Sequence, residues 1–128
     1  MSEIIFTCII PCSKTDYESQ NLRDLIASIK AQDFPQDQIE ILTITEGDSE
    51  QAKAIGIKRA KGLICGMFCA DNLLTHNLIF SDVYKEFKLF PISASYSRFY
   101  HYNQKENSLN RYFSLIGGND LICFYLGK

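Results

Sequence analysis

The sequence predicts an α/β fold in which a doubly wound, mostly parallel sheet is flanked by helices. Strand-like runs at residues 4–10, 40–45 and 63–69 alternate with segments that carry apolar residues at helical spacing. Short continuous apolar runs are typical of strands that are covered on both faces, as in a parallel sheet. A proline or a glycine follows each helix-like segment. Because strands and helices alternate, we expect right-handed crossovers in a layered arrangement.

The first strand, over residues 4–10, ends at Pro11, and a polar loop over 12–18 follows it. The next segment is predicted to be a helix because its apolar residues recur at i, i+3, i+4 and i+7. The tripeptide Asp-Phe-Pro at 33–35 ends this helix. Its apolar positions are Leu22, Leu25, Ile26 and Ile29.

The second strand, over residues 40–45, leads into a polar turn and then a helix over 50–60. Ser49 is the predicted N-cap of this helix, since its hydroxyl can accept a bond from a free backbone N–H group. Gly62 stops the helix, and a third strand runs over 63–69.

In the second half of the chain, Thr75 is the predicted cap of a helix over residues 76–89, which Pro91 closes. No linker or internal repeat interrupts the pattern, so a single domain is expected. The elements predicted after this helix are a strand over 92–102, a short helix over 108–116 and a strand over 121–126.

Composition narrows the class of protein. The chain has 128 residues, of which 46% are hydrophobic, and a formal net charge of −2. This length suffices for one domain with its own core, and the charge argues against a dedicated nucleic-acid binder. No apolar run reaches the roughly 20 residues that a transmembrane helix needs. No basic segment precedes the first apolar run, so a signal peptide is not expected. We therefore expect no nucleic-acid partner, no transmembrane segment and a cytoplasmic location.

The odd number of cysteines argues against a disulfide framework. Two pairs with C-x3-C spacing suggest zinc, but residues four apart on a strand lie about 13 Å from each other, too far to share one ion. Reduced, mostly buried thiols are therefore expected. The five cysteines are Cys8, Cys12, Cys65, Cys69 and Cys123.

Polar residues follow each of the first three strands, and ligands of open parallel sheets bind beyond such strand ends. These residues lie at 11–14, 46–48 and 70–72, and they include three carboxylates. The alternative is that Asp, Gly and Asn simply form good turns. The sequence contains neither a P-loop nor a Gly-x-Gly-x-x-Gly motif, so the two commonest nucleotide-binding signatures are absent.

Four segments carry a resemblance to a known family. Residues 8–14 (CIIPCSK) are similar to an opening strand that ends in proline and a polar loop, and residues 28–35 (SIKAQDFP) to a helix ending of the form S-x-x-x-Q-x-y-P. Residues 40–48 match a second strand with an acidic turn. Residues 52–62 follow the pattern A-R-N-x-G-I-x-x-A-x-G and lead to 68–72, the place of an Asp-x-Asp motif. In this order, the segments resemble family 2 glycosyltransferases, which have the Rossmann-like GT-A fold.

The resemblance implies a domain that binds a nucleotide-diphosphate sugar and passes the sugar, with inversion, to an acceptor hydroxyl. It makes Asp71 the ligand of a divalent metal, Mn²⁺ or Mg²⁺, because one carboxylate suffices when a diphosphate supplies the other oxygens. The residues that the resemblance assigns to nucleotide binding are Pro11, Cys12, Ser13, Glu46, Gly47, Lys53, Cys69 and Ala70.

Three of these residues have individual roles in the resemblance. Glu46 matches the acid that binds the base or ribose, and its carboxylate can accept bonds from an imide or a hydroxyl. Lys53 stands where the family has an arginine, so it offers a point charge to the diphosphate; an ordinary solvated lysine is the equal alternative. Cys69 replaces the first acid of Asp-x-Asp, and a neutral thiol there is expected to weaken or alter donor binding.

The catalytic base of the family lies downstream of Asp-x-Asp, where a carboxylate removes the proton of the acceptor hydroxyl. Asp120, after the glycine-rich residues 117–119, is the candidate in this sequence; a turn-forming aspartate is the alternative. His76 is expected to be an ordinary surface histidine, and His101 to pack among aromatic residues.

The resemblance also concerns the extent of the chain. Residues 1–128 are expected to form one GT-A-like domain whose acceptor-binding part is missing. The acceptor is not identified by the sequence. A second chain or a homo-oligomer is the expected protein partner. Two classes of function stay open: a glycosyltransferase or its donor-binding portion, and a noncatalytic nucleotide-binding or interaction module that keeps the fold. A receiver-like signalling domain also needs acids at strand ends, but it has no counterpart of the glycine pattern at 56–62.

Overall fold

The computed structural model describes residues 3–97 and 121–126. These residues form one five-stranded sheet and three α-helices, together with two short 3-10 turns. In chain order, the main elements are β1 (Phe6–Pro11), α1 (Gln20–Lys30), β2 (Ile39–Ile44), α2 (Ser49–Arg59), β3 (Ile64–Met67), α3 (Ile79–Leu89), β4 (Ala94–Ser97) and β5 (Leu121–Tyr125).

The sheet is mixed, with the strand order β2-β1-β3-β5-β4. β1 pairs in parallel with both β2 and β3, whereas β5 pairs antiparallel with both β3 and β4. The α/β class is therefore confirmed, but the prediction of a doubly wound, mostly parallel sheet is wrong. The reason is that an apolar run predicts a strand without its direction, and β5 runs against its two neighbours.

The expected cover on both faces of the first strand is confirmed. Even-numbered residues of β1, including Cys8 and Ile10, belong to a cluster that contains buried residues of α1 and α3. On the opposite face, Ile9 packs in a second cluster with Ala52 of α2 and Cys65 of β3. β1 thus lies in the middle of three layers, which explains why its sequence is apolar at consecutive positions.

Small residues allow α2 to lie very close to β1. Ala52, Gly56 and Ala60 recur every four residues, and all three are buried against the sheet. A Cβ atom on Gly56 would lie 2.5 Å from Cγ2 of Ile9 and 3.1 Å from Cδ1 of Ile44. The alanine and glycine spacing that resembles the family pattern is therefore a packing requirement in this chain.

The start of α2 differs from the prediction by one residue. Asp48, not Ser49, is the N-cap: its Oδ1 accepts a bond from the Gln51 backbone N–H at 2.8 Å, and the Gln51 side chain accepts from the Asp48 N–H at 2.8 Å. Both Asp and Ser are good caps, but only Asp48 has a glutamine three residues later that completes a capping box.

The third helix begins later than predicted. α3 starts at Ile79 after Leu78, which provides no side-chain cap, so the prediction of Thr75 as cap is wrong. The backbone before the helix is held by other contacts, because the His76 carbonyl accepts a bond from Gln32 Nε2 at 2.7 Å. The helix ends at Leu89, as predicted.

Gln32, just after α1, is a buried polar side chain that joins two elements. Its Oε1 accepts the Phe80 backbone N–H at 3.1 Å, while its Nε2 donates to the His76 carbonyl. Four residues earlier, Ser28 Oγ accepts the Leu74 N–H at 3.2 Å. The S-x-x-x-Q motif therefore fixes the path of the chain between β3 and α3.

The remaining predictions have mixed outcomes. β3 is shorter than the predicted 63–69 because Asn72 Oδ1 accepts the Cys69 N–H, which turns the chain out of the sheet. β5 is confirmed, and β4 covers the start of the predicted strand over 92–102. The predicted helix over 108–116 lies outside the described residues. Among the described residues, no helix is both long and apolar enough to cross a bilayer.

We expect Gly56→Leu to destabilise the fold strongly, and Gly56→Ala to do so less. Even the single Cβ meets Ile9 at 2.5 Å, and overpacking costs about 1–3 kcal/mol against a gain of about 1 kcal/mol in helix propensity. Urea unfolding monitored by circular dichroism measures the change. Ala54→Leu, at an exposed position of the same helix, is the control and should change stability by less than about 0.5 kcal/mol. A Gly56→Leu variant as stable as the control would contradict the packing argument.

Gln32→Leu should lower the free energy of unfolding by about 1–3 kcal/mol, since it leaves the buried Phe80 N–H without its partner and also removes the bond to the partly buried His76 carbonyl. The Phe80 amide, which donates to Gln32, should also exchange its hydrogen faster. Gln20→Leu on the exposed side of α1 is the matched control. Unchanged exchange at Phe80 would show that Gln32 does not fix this segment.

Candidate functional site

A cleft of about 680 Å³ lies at the carboxyl ends of β1, β2 and β3. The helix after β1 packs on one face of the sheet, and the helix after β2 packs on the other. A crevice forms where consecutive connections diverge in this way, which is the usual ligand site of an α/β sheet. The residues that line it are Pro11, Cys12, Ser13, Lys14, Asp16, Ser19, Asn21, Ile44, Thr45, Gly47, Asp48, Ser49, Ala52, Lys53, Phe68, Cys69, Ala70 and Asp71.

The loop after β1 forms one wall of the cleft. The Cys12 N–H donates to the Ile44 carbonyl at 3.0 Å, which extends the β1–β2 pairing by one residue. Ser13 then closes a tight turn: its carbonyl accepts the Tyr17 N–H and its Oγ accepts the Asp16 N–H, both at 3.0 Å. The loop is therefore held by main-chain bonds, although most of its side chains are exposed.

The loop between β2 and α2 forms a second wall. Gly47 has φ +72°, and a Cβ atom there would lie 2.6 Å from Gln51 Oε1, so the turn requires glycine. Further along α2, Lys53 also lines the cleft, and its Nζ lies 2.9 Å from Glu50 Oε1. The capping box between Asp48 and Gln51 therefore fixes the backbone of this wall at the start of α2.

The third group of residues is the turn after β3. Phe68 is buried and its N–H donates to the Ile9 carbonyl at 2.9 Å, so the turn starts from a fixed point. Cys69 and Asn72 then bond reciprocally: the Cys69 N–H reaches Asn72 Oδ1 at 2.8 Å, and the Asn72 N–H reaches the Cys69 carbonyl at 3.0 Å. Asp71 lies exposed within this turn.

The cleft brings together most of the residues that the sequence singled out. Asp71, the predicted metal ligand, lines it, and ligand contact by all of these residues stays a prediction. The predicted nucleotide-binding residues found in the lining are Pro11, Cys12, Ser13, Gly47, Lys53, Cys69 and Ala70.

Glu46 is the exception. Its carboxylate forms a two-pronged ion pair with Arg59, with distances of 3.0 Å to NH1 and 3.2 Å to NH2, and it is not among the lining residues. A role for Glu46 in nucleoside binding stays a prediction. His76 is exposed, as predicted, while Asp120 and His101 lie outside the described residues.

The charged lining is close to balanced. The lining contains two lysines, Lys14 and Lys53, and three aspartates, Asp16, Asp48 and Asp71. Both α1 and α2 begin at the cleft, and the free N–H groups of a helix start add partial positive charge. The cleft therefore offers both signs of charge at separate points, which suits a ligand that carries hydroxyl groups at one end and phosphate at the other.

The two thiols in the cleft are held in their neutral form. Partial burial, and then the nearby Asp71 carboxylate, raise the pKa of Cys69, while Lys53 lowers it by a smaller amount. Burial and Asp16 raise the pKa of Cys12. At neutral pH these side chains are therefore uncharged, so Cys69 does not supply the negative charge that the sequence resemblance places at its position.

A divalent cation in this cleft would depend on the ligand for most of its coordination. Among the described residues, no three His, Cys, Asp or Glu side chains come together as a metal-binding group. The neutral thiol of Cys69 is a poor ligand for a hard cation, which leaves Asp71 as the carboxylate of this turn. Mg²⁺ often binds through one or two carboxylates plus phosphate oxygens, so the residues fit a cation that enters with a diphosphate.

Several lining residues were not singled out in the sequence. The sequence prediction considered only the few residues that directly follow each strand, whereas the first loop continues through a 3-10 turn to the start of α1. The first residues of the helices that follow β1 and β2 also line the cleft, and the predicted helix starts could have indicated them. These additional residues are Asp16, Ser19, Asn21, Thr45, Ser49 and Ala52.

Comparison with solved structures shows the fold. No protein-family model matches this sequence, and no curated protein sequence matches it. A crystal structure of S. aureus TarS, residues 1–349, superposes with a TM-score of 0.66 and 12% identity, over 81% of this chain and 38% of that chain. The chain thus spans less than half of the length of this neighbour.

Two further TarS structures are similar. The longer TarS crystal structure gives a TM-score of 0.52 at 13% identity, over 66% of this chain and 20% of that one. TarS 1–349 in complex with UDP gives 0.51 at 13% identity, over 66% of this chain and 32% of that one. TarS is a family 2 glycosyltransferase with the GT-A fold. At this identity the likeness concerns the fold, and it confirms a GT-A-like α/β architecture.

The reactivity of Cys69 tests the geometry of the cleft. In a Cys12→Ser background, we expect Asp71→Asn to speed alkylation of Cys69 at pH 8 by about twofold or more, because removing a negative charge lowers the thiol pKa and only the thiolate reacts. Lys53→Gln should slow the reaction for the opposite reason. Mass spectrometry of the alkylated peptide measures the rates.

Asp24→Asn, on the exposed face of α1, is the control for this experiment and should leave the rate unchanged. A reversed order, with Asp71→Asn slower and Lys53→Gln faster than the parent, would mean that these charges do not act on Cys69 as the structure indicates.

Proposed function

We propose that this chain binds a nucleotide-diphosphate sugar in the cleft at the ends of β1, β2 and β3, as the donor-binding part of a glycosyltransferase. One observation carries the proposal: the cleft lies at the strand ends of a fold similar to TarS, a protein whose structure has been determined with UDP. UDP is therefore the first ligand to test.

The three walls supply different groups to such a ligand. In the proposal, the loop after β1, residues 11–13, contacts the nucleoside. Lys53 adds positive charge near the diphosphate. Asp71 lies two residues beyond Cys69 in a turn that is closed at both ends, and it is the proposed ligand of Mn²⁺ or Mg²⁺.

The proposed reaction is transfer of the sugar to an acceptor hydroxyl with inversion. A bound divalent cation would offset the charge that develops on the departing diphosphate. The chain itself would orient the donor through the fixed loops of the cleft, while a carboxylate removes the proton of the attacking hydroxyl. Asp120 stays the predicted base from the sequence.

A noncatalytic role has one specific observation in its favour. Cys69 occupies the place of the first acid of the family motif, and its raised pKa keeps it neutral. A cleft with this change is expected to hold a nucleotide with altered geometry near the diphosphate. Binding without transfer is therefore the second candidate function, and an assay of UDP-sugar hydrolysis by the full chain separates the two.

Calorimetric titration with UDP, with and without Mn²⁺, tests the proposal. We expect UDP to bind more tightly with Mn²⁺, and Asp71→Ala to remove most of this gain, by about tenfold or more, because the variant loses the carboxylate that would hold the ion. GDP in the same titration tests the choice of nucleotide.

Asp24→Ala is the matched control, since Asp24 is also exposed but lies on α1 outside the cleft lining. No binding of UDP, GDP or another nucleoside diphosphate by the folded wild-type chain would refute the proposed function. Mn²⁺-independent UDP binding that survives Asp71→Ala would keep the nucleotide site and reject the metal ligand.

A further inference from the structure

The charged residues of the cleft differ in whether they already have partners within the chain. Asp48 is engaged as the cap of α2, where its Oδ1 accepts the Gln51 N–H. Lys53 is engaged with Glu50 at 2.9 Å. Among the described residues, by contrast, the Lys14 ammonium has no hydrogen-bond or ion-pair partner, although Lys14 lines the cleft.

The position of Lys14 is set by the backbone around it. The Cys12 N–H is bonded to the Ile44 carbonyl of β2, and Ser13 accepts two bonds from the turn that follows. Lys14 therefore emerges from a constrained loop at the end of the central strand β1. A fixed backbone lowers the entropy lost when a flexible lysine side chain engages a ligand.

The two lysines also differ in the charge around them. The Glu50 carboxylate next to Lys53 offsets its positive charge, and an anion that approaches Lys53 also meets Glu50. Asp16 lies in the same loop as Lys14, but it forms no ion pair with Lys14 within the described residues. Of the two lysines in the lining, Lys14 is thus the one whose ammonium group forms no ion pair within the described residues.

We infer that Lys14 is the principal phosphate-binding side chain of this cleft, ahead of Lys53, the lysine that the family resemblance selects. This assignment rests on the proposed function, since it requires the ligand to carry phosphate. The ligand class is a nucleoside diphosphate, whose terminal phosphates would accept hydrogen bonds from the ammonium group. A charge-assisted bond of this kind is stronger than a neutral one.

Binding of UDP and of uridine to single variants tests the inference. We expect Lys14→Ala to weaken UDP binding about tenfold while uridine binding stays unchanged, because uridine lacks the phosphates. Lys14→Arg should bind UDP within about threefold of wild type, and Lys53→Ala should lose less affinity than Lys14→Ala. Raising the ionic strength should weaken UDP binding less in Lys14→Ala than in wild type.

Lys85→Ala, at an exposed position of α3 outside the cleft lining, is the matched control, and circular dichroism verifies that each variant folds. UDP binding by Lys14→Ala at wild-type strength overturns the assignment, as does an equal loss of uridine binding or a larger loss in Lys53→Ala. If the folded wild-type chain binds no UDP, the proposed function falls and the assignment falls with it.

Discussion

The close approach of α2 to β1 is the constraint on which the rest of this structure depends. Gly56 leaves no room for a side chain against Ile9, and Ala52 continues the same small surface toward the cleft. Because α2 is a rigid element, this contact also determines where its first turn lies. The capping box at Asp48 and the position of Lys53 are consequences of a packing contact that lies well inside the core.

The path of the chain after β3 depends on polar contacts instead. Gln32 binds backbone groups on both sides of the start of α3, and Ser28 holds the segment just after the Asp71 turn. After β3 the chain forms an exposed turn and returns to the core within a few residues. The buried Gln32 amide holds this segment in place, and because both its oxygen and its nitrogen are hydrogen-bonded, its burial costs little stability.

The sequence predicts the buried parts of this fold better than its surface contacts. The run around Ile9 identifies a central strand because burial on both faces demands consecutive apolar residues, and the spacing around Gly56 identifies a helix close to the sheet. The residue pattern of a strand does not indicate its direction in the sheet, so the antiparallel orientation of β5 was not predicted. The Glu46–Arg59 ion pair was also not predicted, because the two residues lie 13 positions apart and only the fold brings them together.

The contrast between buried packing and exposed polar groups also applies to the cleft, where the first would govern binding and the second catalysis. The walls that would hold a nucleotide derive from core packing around Gly56 and from the bonds that close the loops at Ser13 and Asp48, none of which involves the Cys69 side chain. Chemistry at a diphosphate depends instead on the charge of the groups beside it, and here the raised pKa keeps Cys69 neutral, where the sequence resemblance places an acid. In a fold of this kind, the packing that shapes the cleft and the charge of the turn after β3 can therefore vary independently.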